Sequence, residues 1–224
     1  VEFDDGGGVW HGAVTFDSNS NKVVIAYPDQ DDEGKGMAIV GTVSGTSISF
    51  GSAATFNSGT TRDVATTFDT TNNKVVIAYQ DDGNSDYGTA VVGTVSGTSI
   101  SFGSEVVFNS DDSTTEMTQI AFIPGHGVLI GFNSNGDGHA IFGTVSGTSI
   151  SFDDATTFDD DDGYDGIIIA YDSGNGNTIV IYEDRGDSNK GNARVVEVPE
   201  FSSIFLPILS TLLVVGFNYR RKNC

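Results

Sequence analysis

The sequence predicts an all-β chain built from four-stranded antiparallel repeats of about 52 residues. Three observations carry that expectation. The decapeptide Gly-Thr-Val-Ser-Gly-Thr-Ser-Ile-Ser-Phe stands unchanged at 41–50, 93–102 and 143–152, so its starts are 52 and 50 residues apart. A fixed period of that size is one supersecondary unit. Runs of the type Val-Val-Ile-Ala-Tyr recur between clusters of Gly, Ser, Thr, Asn and Asp, which is strand-and-turn chemistry. These runs lack polar alternation, as strands buried on both faces require. A repeated antiparallel sheet covered on both sides suits a blade packed between blades, the β-propeller arrangement with its typical ~4–8 four-stranded blades. Tandem β-modules or an open array are the alternatives.

The chain opens on Val1-Glu2-Phe3, which matches only the end of a fourth strand (compare Val106-Val107-Phe108). Val1 is therefore expected to be a truncation point, with further blades upstream. Repeats are expected near 9–60, 61–112, 113–162 and 163–198 within a 1–198 body. The second is the clearest. Val64–Phe68 is a β-rich run ending in the turn cluster Asp69–Asn73, and Lys74–Tyr79 is the second strand. A polar loop, Gln80–Gly88, leads to a third strand over Thr89–Ser96. Gly97-Thr98 then links to a fourth strand that opens at Ser99–Phe102 and extends to Phe108. Gly in first place suits a type II′ hairpin turn. Phe16, Phe68 and Tyr171 share one repeat position, and Tyr27, Tyr79, Phe132 and Tyr182 another. The third repeat is the most divergent, with Pro124-Gly125-His126-Gly127 as its first turn, and the last lacks its fourth strand.

Charge narrows the partners. Residues 1–199 carry 7 cations against 30 acids, a net of −23. Such a body repels nucleic acid and anionic membrane and attracts cations. Cysteine occurs once, at Cys224, so no disulfide framework exists and packing must supply the stability.

The chemistry of an enzyme is not legible. His11, His126 and His139 occupy non-equivalent positions with no metal-ligand spacing, and Arg62, Arg185 and Arg194 are the only arginines before the tail. No nucleophile elbow, phosphate loop or Cys–His pair is present. The acidic loops are the one candidate site class. Asp81, Asp82 and Asp86 in the second repeat, with Asp160 and Asp162 in the third, offer the oxygen ligands that Ca²⁺ takes. Neither loop follows the Asp-x-Asp-x-Asp-Gly-x₅-Glu pattern of one Ca²⁺ loop, and solvated turns explain them at least as well. No other cofactor is expected.

The body resembles propeller-like surface repeats of the type Phe-Asp-x-x-x-Asn-Lys-Val-Val-Ile-Ala-Tyr…Gly-Thr-Val-Ser-Gly-Thr-Ser-Ile-Ser-Phe, over most of residues 9–198. The resemblance carries no activity.

The composition changes abruptly after Val198. Residues 199–224 read Pro-Glu-Phe, an apolar span and a basic cluster. A helix from Ile204 to Tyr219 would be ~24 Å long at ~1.5 Å per residue, slightly short of the ~30 Å hydrocarbon core. Arg220, Arg221 and Lys222 follow it and place the C-terminus in the cytoplasm, with the repeats outside. A buried core helix is the alternative and fits poorly at the end of an all-β chain. The order of the three parts resembles the PEF-CTERM sorting signals of archaea. That resemblance implies Pro199, Glu200 and Phe201 as the recognition residues of an archaeosortase-like transpeptidase, which would exchange the tail for a surface anchor. A permanent C-terminal anchor predicts the same side of the membrane.

The expected protein is thus a non-enzymatic cell-surface repeat protein for adhesion, glycan or envelope-polymer binding, or structural display. The alternative is an accessory binding module of a larger secreted hydrolase.

Overall fold

The computed structural model describes residues 1–4, 8, 9, 11–111, 115–160, 164–184, 188 and 190–197. The expected tail, with Pro199, Glu200, Phe201, the span to Tyr219 and Arg220, Arg221 and Lys222, lies outside the described residues. Among the described residues no helix is long and apolar enough to cross a membrane.

The described chain is all-β and its pairings are antiparallel. The first unit contains β1 (Ala13–Asp17), β2 (Lys22–Asp29), β3 (Lys35–Ser44) and β4 (Ser47–Phe50). Strand β5 (Ala54–Asp69) leads into the second unit with β6 (Lys74–Asp81), β7 (Tyr87–Ser96), β8 (Ser99–Phe102) and β9 (Val106–Asn109). The third unit holds β10 (Thr115–Ile123), β11 (Gly127–Ser134), β12 (Asp137–Ser146), β13 (Ser149–Phe152) and β14 (Thr156–Asp159). The fourth holds β15 (Tyr164–Asp172), β16 (Asn177–Asp184) and β17 (Lys190–Val196). Hydrogen bonding groups these strands into sheets of nine, five and three strands. The nine-stranded sheet is two units joined through β5. That strand pairs with β3 up to Thr60 and with β6 from Thr61, so it closes one unit and opens the next.

The fourth strand differs from the expected single run to Phe108. It is broken into two short strands, β8 and β9, that both pair with β7. Strand β8 takes the far end of β7, Gly93–Ser96, and β9 takes Gly88–Ala90. Gly103 still donates its N–H to the Val92 carbonyl at the break (2.9 Å). The same break recurs in the third unit, where Asp153 donates to Phe142.

The turns follow from local chemistry. Asp17 accepts hydrogen bonds from the N–H groups of Asn19 and Ser20 (2.9 Å each). Asp69 does the same for Thr71 and Asn72 (2.8 and 3.0 Å), and Asp172 for Gly174 (2.9 Å). One aspartate thus organises the first turn of three of the four units. In the decapeptide hairpin Gly97 has φ +63° while Thr98 keeps an ordinary φ, the pattern of a type II′ turn.

Three apolar layers hold the units face to face. The first joins Val24, Ala26 and Val40 to Phe68, Val75, Ile77 and Tyr79. The second joins Val76, Ala78 and Val92 to Val128, Ile130 and Phe132, and the third joins Leu129, Ala140 and Phe142 to Ile167, Val180 and Tyr182. Position in the stack sets the burial pattern. Strand β6 lies between two neighbours and is buried from Val75 to Asp81. Strand β16, in the last of the described units, alternates buried and more exposed residues because the described residues cover only one of its faces. The first strands of successive units run beside one another, β1 by β5, β5 by β10 and β10 by β15. No strand pairing joins the fourth unit to the first among the described residues.

One aromatic arrangement repeats at every junction. Phe56 packs on Tyr79 of the next unit with ring centroids 5.1 Å apart, and on Phe102 at 6.0 Å. Phe108 does the same with Phe132 and Phe152, at 5.1 and 5.7 Å. Phe158 stands 5.2 Å from Tyr182. Phe3 completes the series, 5.2 Å from Tyr27 and 5.9 Å from Phe50. The opening segment therefore sits where the end of a preceding fourth strand would sit.

Candidate functional site

The polar loops between second and third strands lie at one end of the units, and that end carries a cleft of about 640 Å³. His11 and Pro28 come from the first unit, Thr60 to Asp63 from the crossover strand, Gln80, Asp82 and Asp86 from the second unit, and Glu116 from the third. A shallower recess of about 320 Å³ shares His11 and Asp63 with it and reaches Thr118 and Gly166. The two together follow the rim formed by the first strands.

A buried hydrogen-bond network joins the units, and its Thr61 also lines the cleft. Asn57 donates from Nδ2 to Thr61 Oγ1 and to Asp81 Oδ1, both at 3.1 Å. Asn109 repeats it in the next junction, donating to Thr115 Oγ1 at 2.9 Å and to Ser134 Oγ at 3.2 Å. These groups are all buried, so each needs its partner inside the protein. The loops also latch the units together through the backbone. Thr61 donates its N–H to the Gly34 carbonyl (2.8 Å), and Thr115 donates to that of Asp86 (3.1 Å).

The electrostatics of the cleft centre on one cation. Arg62 Nε lies 2.6 Å from Asp82 Oδ2, with the arginine largely exposed and the aspartate mostly covered. Burial pushes the Asp82 carboxyl above its ordinary pKa; Arg62 opposes that shift and the nearby Asp86 adds to it. His11 Nδ1 stands 3.4 Å from Asp63 Oδ1 across the first junction. Gln30, Gln80 and Glu116 complete the lining. The wall is rich in carboxylate and amide oxygens with a single guanidinium, a set suited to hydrogen-bonding a polar, hydroxyl-bearing ligand.

The acids singled out as Ca²⁺ candidates are placed as follows. Asp81 is buried and accepts from Asn57. Asp82 is bridged to Arg62. Asp86 sits at φ +59° and gives its carbonyl to the next unit. Asp160 is exposed, and Asp162 lies outside the described residues. No group of three or more His, Cys, Asp or Glu side chains that could hold a metal ion occurs among the described residues.

Sequence reasoning treated His11 and Arg62 singly and did not reach the cleft. Its lining comes from three repeats, and only the lateral packing of first strands brings them together. The one available signal was Thr60-Thr61-Arg62-Asp63, where an arginine enters a stretch that has no lysine or arginine at the start of the other repeats.

No protein-family model matches the chain, and no curated protein matches it. A solved structure of "NanB plus Optactamide" is similar at a TM-score of 0.49 with 15% sequence identity, over 79% of this chain and 28% of that one. The chain therefore spans less than a third of that protein's length.

Proposed function

We propose that this chain is a non-enzymatic repeat protein of the cell surface, an arc of propeller blades that displays an oxygen-rich cleft for adhesion or for binding a glycan or envelope polymer. The observation that supports it most is the use of the repeated acids. Asp17, Asp69 and Asp172 tie turns, and Asp81 ties one unit to the next. Other groups of the cleft, among them Arg62, Gln30, Gln80 and Glu116, offer hydrogen bonds to a polar ligand. The lateral run of first strands supports the propeller reading, since blades share an axis lined by their first strands.

The surface location rests on the tail. In this reading Pro199-Glu200-Phe201 is the sorting motif, an archaeosortase-like transpeptidase is the partner, the apolar span holds the membrane until processing, and Arg220, Arg221 and Lys222 stay in the cytoplasm. The mass of the mature protein released from its native surface tests this. A chain ending near Phe201 with a lipid-sized addition supports it. A chain ending in Cys224 replaces the sorting signal with a permanent anchor. The binding role is tested by adding neutral and uronic-acid polysaccharides to the wild type and to Arg62→Ala. Retention that the substitution weakens supports the cleft as the site. Retention equal in both moves binding elsewhere, and no retention leaves structural display as the role.

A further inference from the structure

We propose, resting on the reading of the cleft as a glycan site, that it recognises an uncharged sugar unit through its adjacent hydroxyls. Arg62 and Gln80 are the contacts, and Asp82 is the residue that positions Arg62.

Strand register brings the two contacts together. Arg62 and Gln80 are direct partners in the β5–β6 ladder, so their side chains stand on one face of the sheet, and both line the cleft. Gln80 is only 4% exposed. Its carboxamide makes no hydrogen bond among the described residues, although the large majority of buried polar side chains are paired. The equivalent positions hold Pro28, Asn133 and Glu183. Proline has no polar side chain to offer, and Asn133 accepts the N–H of Gly136 in its own loop (3.1 Å). The repeat itself therefore does not call for a glutamine here. An unpaired carboxamide at the wall of a cleft has both a donor and an acceptor for a ligand hydroxyl.

Arg62 adds donors in a set plane. Its Nε is held by Asp82 Oδ2 at 2.6 Å, and its side chain is 64% exposed. The guanidinium has no other partner among the described residues. Anchored by one edge, the planar group keeps its two terminal amino groups available as a fork. Two neighbouring hydroxyl oxygens of a sugar ring suit that fork.

Charge selects among sugars. Four carboxylates, of Asp63, Asp82, Asp86 and Glu116, line the same cleft, on a chain of formal charge −21. An anionic sugar would meet those acids with the one arginine already paired. An ammonium group could not accept from Gln80 and would be repelled by the guanidinium. A neutral hydroxyl does both jobs, since it accepts from Arg62 and Gln80 and donates to a carboxylate. Glu116 is such an acceptor. It holds in the third unit the register position that Arg62 holds in the second.

Isothermal titration calorimetry on the full chain, in a polyoxyethylene detergent that carries no sugar, tests the proposal. The probes are the tetramers of glucose, mannose and galactose, a galacturonate tetramer and a glucosamine tetramer. At least one neutral tetramer should bind, at least tenfold more tightly than either charged one. Arg62→Lys keeps the charge but loses the fork, and should weaken that binding at least tenfold, as should Gln80→Leu. Because Gln80 has no partner in the free protein, Gln80→Leu should hold or raise the Tm. A clear fall would reveal a structural partner and overturn its role as a contact. Asp82→Ala should weaken binding in the wild type and do nothing further in Arg62→Ala, whereas equal weakening in both backgrounds would remove its positioning role. A charged tetramer that binds as tightly as the neutral ones overturns the ligand class and leaves the cleft as a glycan site. Neutral binding that neither Arg62→Lys nor Gln80→Leu changes overturns the proposal by placing the site elsewhere. No binding by any tetramer overturns it together with the glycan reading of the cleft.

Discussion

Gly103 of the second unit lies directly beneath the carbonyl of Thr148 in the third, so closely that a Cβ on Gly103 would collide with the Thr148 oxygen. Gly51 and Thr98 repeat the contact one junction earlier. The residue after the decapeptide is thus glycine where a following hairpin presses on it. After the third copy it is Asp153, and the described fourth unit has no such hairpin. Gly103→Ala should cost about 1–3 kcal/mol through overpacking against rigid backbone. Asp153→Ala should stay within about 0.5 kcal/mol, as a surface change does. Urea unfolding of the two variants checks the contrast. Equal effects would mean that the hairpin contact does not constrain the sequence.

That contact also shows how far the sequence could be read. The decapeptide announced a period and a hairpin, and the Val-Val-Ile-Ala-Tyr run announced a strand covered on both faces. Both are local or statistical properties of one repeat. The break at Gly103-Ser104-Glu105 was not legible, because a broken strand and a continuous one share the same apolar residues. The cleft was not legible either. His11, Arg62 and Glu116 belong to three repeats, and only lateral packing makes them neighbours. The role of the aspartates was open in a different way. They read as a possible Ca²⁺ class because composition cannot tell a turn-capping carboxylate from a metal ligand.

Phe108 lies at the centre of the second junction, against Phe132 and Phe152 and over Gly88. Phe108→Ala removes that ring from three surfaces and should cost about 3–5 kcal/mol. In a stack of units the loss is local. Hydrogen exchange should therefore speed up in β9 and β11 well before it does in β2. Uniform acceleration across all units would show the stack to unfold as one block.

Asn109 joins Thr115 and Ser134 inside the protein. Asn109→Ala leaves two buried hydroxyls without their donor, and should cost about 1–3 kcal/mol, mostly as desolvation. Asn109→Asp should be worse at neutral pH than at pH 4, since a protonated carboxyl can still donate one hydrogen bond. A loss independent of pH would point to shape and not to hydrogen bonding.

The acids of the second loop are each engaged separately, Asp81 with Asn57 and Asp82 with Arg62. Thermal unfolding in millimolar Ca²⁺ and in chelator should therefore give the same Tm. A higher Tm in Ca²⁺, beyond that given by Mg²⁺ at equal ionic strength, would restore the loop as a cation site.

Two aspartates should pull the pH dependence of stability in opposite directions. Burial raises the pKa of Asp82, so the folded chain holds that proton more tightly than the unfolded one. Its contribution is present below the unfolded carboxylate pKa and is lost as pH rises through the raised value. Asp172 is the reverse. Its hydrogen bonds from Asn175 and from the Gly174 N–H hold its pKa down, so its contribution is present above the unfolded pKa and fades as pH falls through the lowered one. Asp82→Asn should therefore gain on the wild type as pH rises from 3 to 7. The loss of its exposed partner Arg62 costs little, because an arginine that is 64% exposed keeps its solvation. Asp172→Ala should show the opposite trend, with its deficit largest at pH 7 and smallest at pH 3. Tm measured across that range for both variants settles the signs. Parallel profiles would mean that neither carboxyl changes its proton affinity on folding.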